Sequence, residues 1–147
     1  MSYGDGTVEP AEVLVDASAL STDGAPGEGL VAVATGPRPP RRVVVVVSAA
    51  WLGRGAAPAD SARAAAAVGL ARHLALELAP TATTVNAVAV PLAFPGPPPA
   101  SAPVRRDVGI DDLAHAVRFF GHPDNGYVMG QVVSLCGGDQ IWSNHDL

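Results

Sequence analysis

The chain has 147 residues, of which 48% are hydrophobic and 16% charged, and its formal net charge is −5. That length suits one domain with a buried core, and that composition excludes a disordered chain. No basic run exceeds Arg41-Arg42 or Arg105-Arg106, which argues against an electrostatic nucleic-acid binder, and no apolar run is long enough to span a membrane.

The first ten residues, MSYGDGTVEP, have neither the basic start nor the apolar stretch of a signal peptide, so a cytoplasmic home is expected. Residues 12–20, EVLVDASAL, read as a buried strand. Residues 21–40 are rich in Gly and Pro and read as loop, with a short strand or helix at 30–34. Five consecutive valines, 43–47, suit a strand buried on both faces, as in a parallel sheet covered by helices. A turn at WLGRGAAP follows, then a helix of about twenty residues beginning near Asp60.

Asp60 is placed as that helix's N-cap, its carboxylate accepting from the free amides of the first turn. Ala64, Ala67, Val68, Ala71, Leu74, Ala75 and Leu78 recur at helical spacing, while the other face is hardly more polar. A helix apolar all round is buried on more than one side, which predicts a subunit interface along it. TTVNAVAV (83–90) reads as a strand, and the prolines of 91–103 exclude regular structure. GIDDLAHAVRFFGHP reads as a short helix with Asp111 as N-cap, Gly121 as C′, and Leu113, Ala116, Val117 and Phe120 facing inward. YVMGQVVSLCGG (127–138) closes the sheet as a strand. Strands alternating with helices predict an α/β layered fold with a mostly parallel sheet of about four strands and two main helices.

From residue 43 onward the chain resembles the short-chain dehydrogenase/reductase family, especially its β-ketoacyl reductase branch. VVVVVSAA is similar to the strand ending in the catalytic serine, and SARAAAAVGLARHLALELAP to the active-site helix. TTVNAVAV is similar to the strand that reads Val-Asn-Ala-Val-x-Pro-Gly in the family, and DDLAHAVRFFGHPDNGYVMGQVVSLCGGD to its C-terminal helix and strand. Residues 13–19, VLVDASA, more weakly resemble the strand reading Leu-Val-Asn-Asn-Ala-Gly. The resemblance implies one truncated Rossmann-like domain over 1–147. Residues 1–42 are its loop-rich part with one strand, 43–138 its βαβαβ part and 139–147 a tail.

The departures from the family are as informative. Nothing matches the glycine-rich loop that holds a dinucleotide pyrophosphate, so no cofactor is expected, and the first strands of the family's sheet are expected to be missing. The family's catalytic helix begins Tyr-x-x-x-Lys; here the same frame holds Asp60 and Ala64, and the chain contains no lysine at all. Ser48 stands near the place of the catalytic serine, although Ala49 also fits. The degenerate positions are therefore Ser48, Asp60 and Ala64, with no catalytic set intact. An unpaired Asp60 is ionised near neutral pH and is a poor proton donor.

The four histidines, 73, 115, 122 and 145, show no metal spacing, and with a single cysteine no zinc site is expected. Cys136 reads as an inert buried thiol. Trp51 reads as packing of the turn or as a wall of the substrate cleft. Interface candidates are Ala67, Leu70, Leu74, Phe120 and Trp142. The reading that follows is a non-catalytic subunit, homo- or hetero-oligomeric, pairing with an intact ketoreductase or with itself in a bacterial biosynthetic pathway. The alternatives are a cofactor-independent dehydratase, cyclase or isomerase using the old substrate cleft, and a binding protein for a hydrophobic small molecule.

Overall fold

The computed structural model describes residues 13–17, 20, 27, 30–32, 36–37, 39–53 and 57–142. Four strands, β1 (Val13–Asp16), β2 (Arg42–Ser48), β3 (Thr84–Val90) and β4 (Val132–Ser134), form one sheet in the order β1-β2-β3-β4. All three pairings are parallel, with Leu14 opposite Val43, Val43 opposite Val85, and Ala87 opposite Val132. The five valines occupy β2 and each is at most 1% exposed. Full burial of each contributes roughly 1.5–3 kcal/mol of transfer free energy, so this strand anchors the sheet between two covered faces.

One face is covered by helix α1 (Pro58–Leu78), the other by α2 (Ile110–Gly121). Val43, Val45, Val47, Val85, Ala87 and Ala89 pack with Ala67, Val68, Ala71, Leu74, Ala75 and Leu78 of α1. On the opposite face Val44 and Val88 pack with Leu113, Ala116, Val117 and Phe120 of α2. The steps β2 to β3 and β3 to β4 run the same way across the sheet, yet their helices lie on opposite faces. The two crossovers therefore have opposite hands, and one departs from the usual right-handed rule.

Helix α1 starts two residues earlier than Asp60. Its N-cap is Ala57, which makes no side-chain capping bond, and Pro58 fills the first turn, where a missing N–H costs nothing. Asp60 is thus not the N-cap. It stands exposed within the first turn, where its carboxylate meets the positive end of the helix dipole. Pro80 stops the helix, and the Thr81 hydroxyl donates to the Leu78 carbonyl at 2.7 Å. The seven buried residues of α1 are those of the helical repeat. Its outer face (Ala62, Ala65, Ala66, Gly69, Leu76) is exposed, and Leu76 retains 77% of its surface.

Helix α2 is capped by Gly109, not Asp111; Asp112 accepts the Gly109 N–H at 2.9 Å. Gly121 is its last helical residue rather than C′ and sits against β1, where a Cβ would lie 3.0 Å from the Val13 side chain. Below that end, the buried Arg42 donates to the carbonyls of Arg41 at 2.8 Å, His122 at 3.4 Å and Pro123 at 2.8 Å. Its charge thereby meets the negative end of the α2 dipole. The expected strand over 127–138 shortens to Val132–Ser134. The segment before it is held to β3 by Asn86, whose amide donates to Val128 O at 2.8 Å and accepts from Gln131 N at 3.0 Å.

Candidate functional site

A cleft of about 400 Å³ opens at the carboxyl ends of β2, β3 and β4, the end at which open α/β sheets bind ligands. Ala49 forms its wall after β2, Pro91 to Ala93 after β3, and Leu135 and Cys136 after β4. Its roof is the proline run 97–99, and Ser101, Asp139 and Gln140 close one side.

That roof is pinned. Gly96 and Val108 exchange backbone hydrogen bonds at 3.0 and 2.9 Å, and Val104 N–H donates to Gly137 O at 3.0 Å. Ala102 is completely buried, and the Ser101 hydroxyl donates to the Asp139 carboxylate. The docking depends on Gly137 and Gly138, both at positive φ (59° and 90°). A Cβ would lie 3.3 Å from Val104 at the first and 3.1 Å from Pro103 at the second.

Beyond the roof a second cleft of about 270 Å³ is lined by Arg106, Asp112 and Ser134. Arg106 binds Asp112 through two hydrogen bonds, of 2.9 and 2.6 Å. That guanidinium, with the Gly109 N–H, holds the Asp112 carboxyl well below the usual carboxylate range, and the pair raises Arg106 in turn.

Of the positions expected from the family's catalytic set, Ser48, Asp60 and Ala64 do not line the larger cleft, whereas Ala49, the alternative to Ser48, does. The Ser48 hydroxyl accepts the Ala50 N–H at 3.1 Å and so caps the 3₁₀ turn Ala49–Leu52. Asp60 points to solvent, and Ala64 is 1% exposed, packed inward. Trp51 packs on the α1 side of the core, leaving its neighbours Ala49 and Leu52 to line the cleft. Cys136 is not the buried thiol expected of a strand residue. β4 ends at Ser134, and Cys136 is partly exposed between the two clefts.

Of the interface candidates, Ala67 and Leu74 face the sheet and Phe120 the opposite core. Their apolar surface is taken up within the chain, and Leu70 is half-buried beside the first core. The Trp142 side chain and residues 143–147, with His145, lie outside the described residues. His73 pairs with Glu77 at 3.2 Å on the surface of α1, His115 lies over Asp111 O at 2.6 Å, and His122 accepts the Asp124 N–H at 3.2 Å.

No family model matches the chain. A curated relative, the (2S)-[(R)-hydroxy(phenyl)methyl]succinyl-CoA dehydrogenase subunit BbsD of Thauera aromatica, is 36% identical over 114 aligned residues, covering 69% of this chain and 46% of the relative. A solved short-chain dehydrogenase/reductase of Serratia marcescens, in a doubly substituted form, is 28% identical with a TM-score of 0.54, over 67% of this chain and 43% of its own. These likenesses make the chain short-chain dehydrogenase/reductase-like. It spans about half the length of the relatives it matches. YwfH, an NADPH-dependent reductase involved in bacilysin biosynthesis, shares the fold with a TM-score of 0.58 at 20% identity, over 67% of this chain and 46% of its own. Among the described residues no helix is long and apolar enough to cross a membrane.

Sequence reasoning missed three features of the site: the Ser101–Asp139 tie, Gln140, and the role of Gly137-Gly138 as the seat of the roof. Only the glycine pair left a signal, a double glycine after a strand, which also marks a close backbone approach.

Proposed function

We propose that this chain is a non-catalytic member of its family that acts by association, with an intact reductase or with a second copy of itself. One observation carries the reading: in the frame where the family keeps its proton-transferring tyrosine and lysine, α1 offers a solvent-facing carboxylate and a buried methyl group. Neither can protonate a carbonyl held in the cleft. The outer face of the same helix supports association. Ala62, Ala65, Ala66 and Gly69 present a surface of small residues on which another helix can pack closely, and Leu76 stands exposed beyond Arg72 and His73. The curated relative is itself named as a dehydrogenase subunit, which fits an assembly in which such chains work with others. The bacterial biosynthetic setting and a cytoplasmic home belong to the same proposal.

The test is co-expression with a full-length reductase of the family encoded beside it, followed by size-exclusion chromatography with light scattering. Co-elution, or a stable homodimer of the isolated chain, is expected, with loss of the complex in Leu76→Glu. A stable monomer that never co-elutes overturns association. Saturable micromolar NADPH binding by the isolated chain overturns the non-catalytic part.

A further inference from the structure

The roof meets the turn after β4 through a backbone tie, Val104 N–H to Gly137 O at 3.0 Å, and a side-chain tie, the Ser101 hydroxyl to the Asp139 carboxylate. The side-chain tie is exposed, and it joins the loop to the short helical turn Asp139–Trp142 at one side of the larger cleft. Opposite charges attend the Ser101 hydroxyl. Asp139 binds it, and the Arg105 guanidinium donates to the carbonyl of Ala100, the residue before it, at 2.6 Å. Arg105 is exposed and, among the described residues, spends one of its donors there. Prolines 97–99 and Pro103 keep the stretch out of helix and sheet, so the hydroxyl is presented on a surface loop. A hydroxyl can donate to a carboxylate. A phosphate ester on the same oxygen carries about −1.5 to −2 charges near neutral pH, so it repels Asp139 and attracts Arg105.

We propose that Ser101 is a phosphorylation site whose occupancy exchanges Asp139 for Arg105, freeing the Asp139–Trp142 turn from the roof and opening that side of the cleft. The phosphoryl donor is a nucleoside triphosphate bound to a separate serine kinase. The bond from Ser101 Oγ to the γ-phosphorus forms as the bond from that phosphorus to its bridging oxygen breaks. The hydroxyl proton passes to a base of the kinase, and the nucleoside diphosphate leaves. The backbone ties at Gly96–Val108 and Val104–Gly137 use no side-chain oxygen and stay closed. The proposal goes beyond the pairing reading and does not rest on it.

Two measurements test it. The chain is purified from the cells that make it and cleaved after arginine, and the peptide 73–105, whose hydroxyl residues are Thr81, Thr83, Thr84 and Ser101, is sequenced by mass spectrometry. A phosphoryl group on Ser101 is expected, and its absence overturns the proposal. In the second, the full chain with phosphoserine installed at Ser101 during translation is compared with the unmodified chain by amide hydrogen exchange. Exchange at Asp139 and Ile141, whose N–H groups bond to Cys136 O and Gly138 O, is expected to rise about tenfold, the scale of a like-charge contact near a surface, while Val104 holds. In Asp139→Asn the repulsion is gone, and phosphorylation should leave the turn unchanged. In Arg105→Gln the phosphate loses its cation, and exchange at Ala102 should rise as well. An unmoved turn, an equal rise in Asp139→Asn, or an Arg105→Gln chain behaving as the parent would each overturn the proposal. Oligomeric state, read separately by light scattering, reports on pairing alone.

Discussion

Replacing Asn86 tests how the cleft is held to the sheet. Asn86 is 1% exposed, and its amide makes two hydrogen bonds to the segment leading into β4, at 2.8 and 3.0 Å. Asn86→Leu keeps the side-chain volume but removes both. Each bond contributes about 0.5–1.5 kcal/mol net, and a partner left buried and unpaired adds about 1–3 kcal/mol. Val128 is half-buried and Gln131 exposed, so water partly restores the second partner but not the first. The total comes to about 2–4 kcal/mol. With a urea m-value of about 2 kcal/mol/M, the midpoint should fall by about 1–2 M. Hydrogen exchange at the Gln131 amide should accelerate beyond the global change, because the segment loses its local tether. Asn86→Ala should cost somewhat more, since a cavity is added. If Asn86→Leu unfolds within about 0.3 M of the parent, the two bonds are not what holds the segment, and the argument fails.

Two further outcomes follow from the geometry. Gly138→Ala should destabilise by about 1–3 kcal/mol, because φ is 90° and the new methyl meets Pro103 at 3.1 Å; the same change should loosen the roof, seen as protease cleavage within 97–104, and an uncut loop would refute the docking. Asp112 titrates well below its unfolded value, so its ion pair contributes stability that is present above about pH 4 and lost as pH falls through the depressed value; Asp112→Asn should flatten the acid limb of stability at low salt, and an unchanged limb would remove the pair from the account.

Much of the scaffold was legible in the sequence because it follows from periodicity. Five valines admit little but a doubly covered strand, and the inward faces of α1 and α2 recur at 3.6 residues, so the sheet and both main helices were readable before any coordinates. Ends and contacts were less so. Asp60 has the chemistry of an N-cap, but Pro58 two residues earlier is better suited to open the helix, and propensity at one position does not reveal which of two signals wins. Cys136 looked buried because its neighbours are apolar, yet β4 pairs over only three residues. The cleft was invisible for a different reason. It is assembled from 91–101 and 135–140, joined by a side-chain tie between Ser101 and Asp139, and no local pattern encodes a pairing across 38 residues. Of the interface candidates on α1, Ala67 and Leu74 face the sheet and Leu70 is half-buried, because a helix with small or apolar residues on most sides does not reveal by spacing alone which side turns inward.

The valine strand also has a consequence for the chain before it folds. Five β-branched residues in a row, without charge or proline, form the kind of segment that stacks between molecules into cross-β assemblies. Parallel pairing is slow to form, because distant segments must meet first, so the run stays unpaired during synthesis and refolding. Arg41 and Arg42 stand directly before it. In the unfolded chain they act as gatekeepers, two adjacent positive charges that oppose in-register stacking of identical segments. On folding, Arg42 turns under the end of α2 and is buried among three carbonyls. The same side chain that discourages self-association in the open chain thus becomes a fastening between sheet and helix in the closed one.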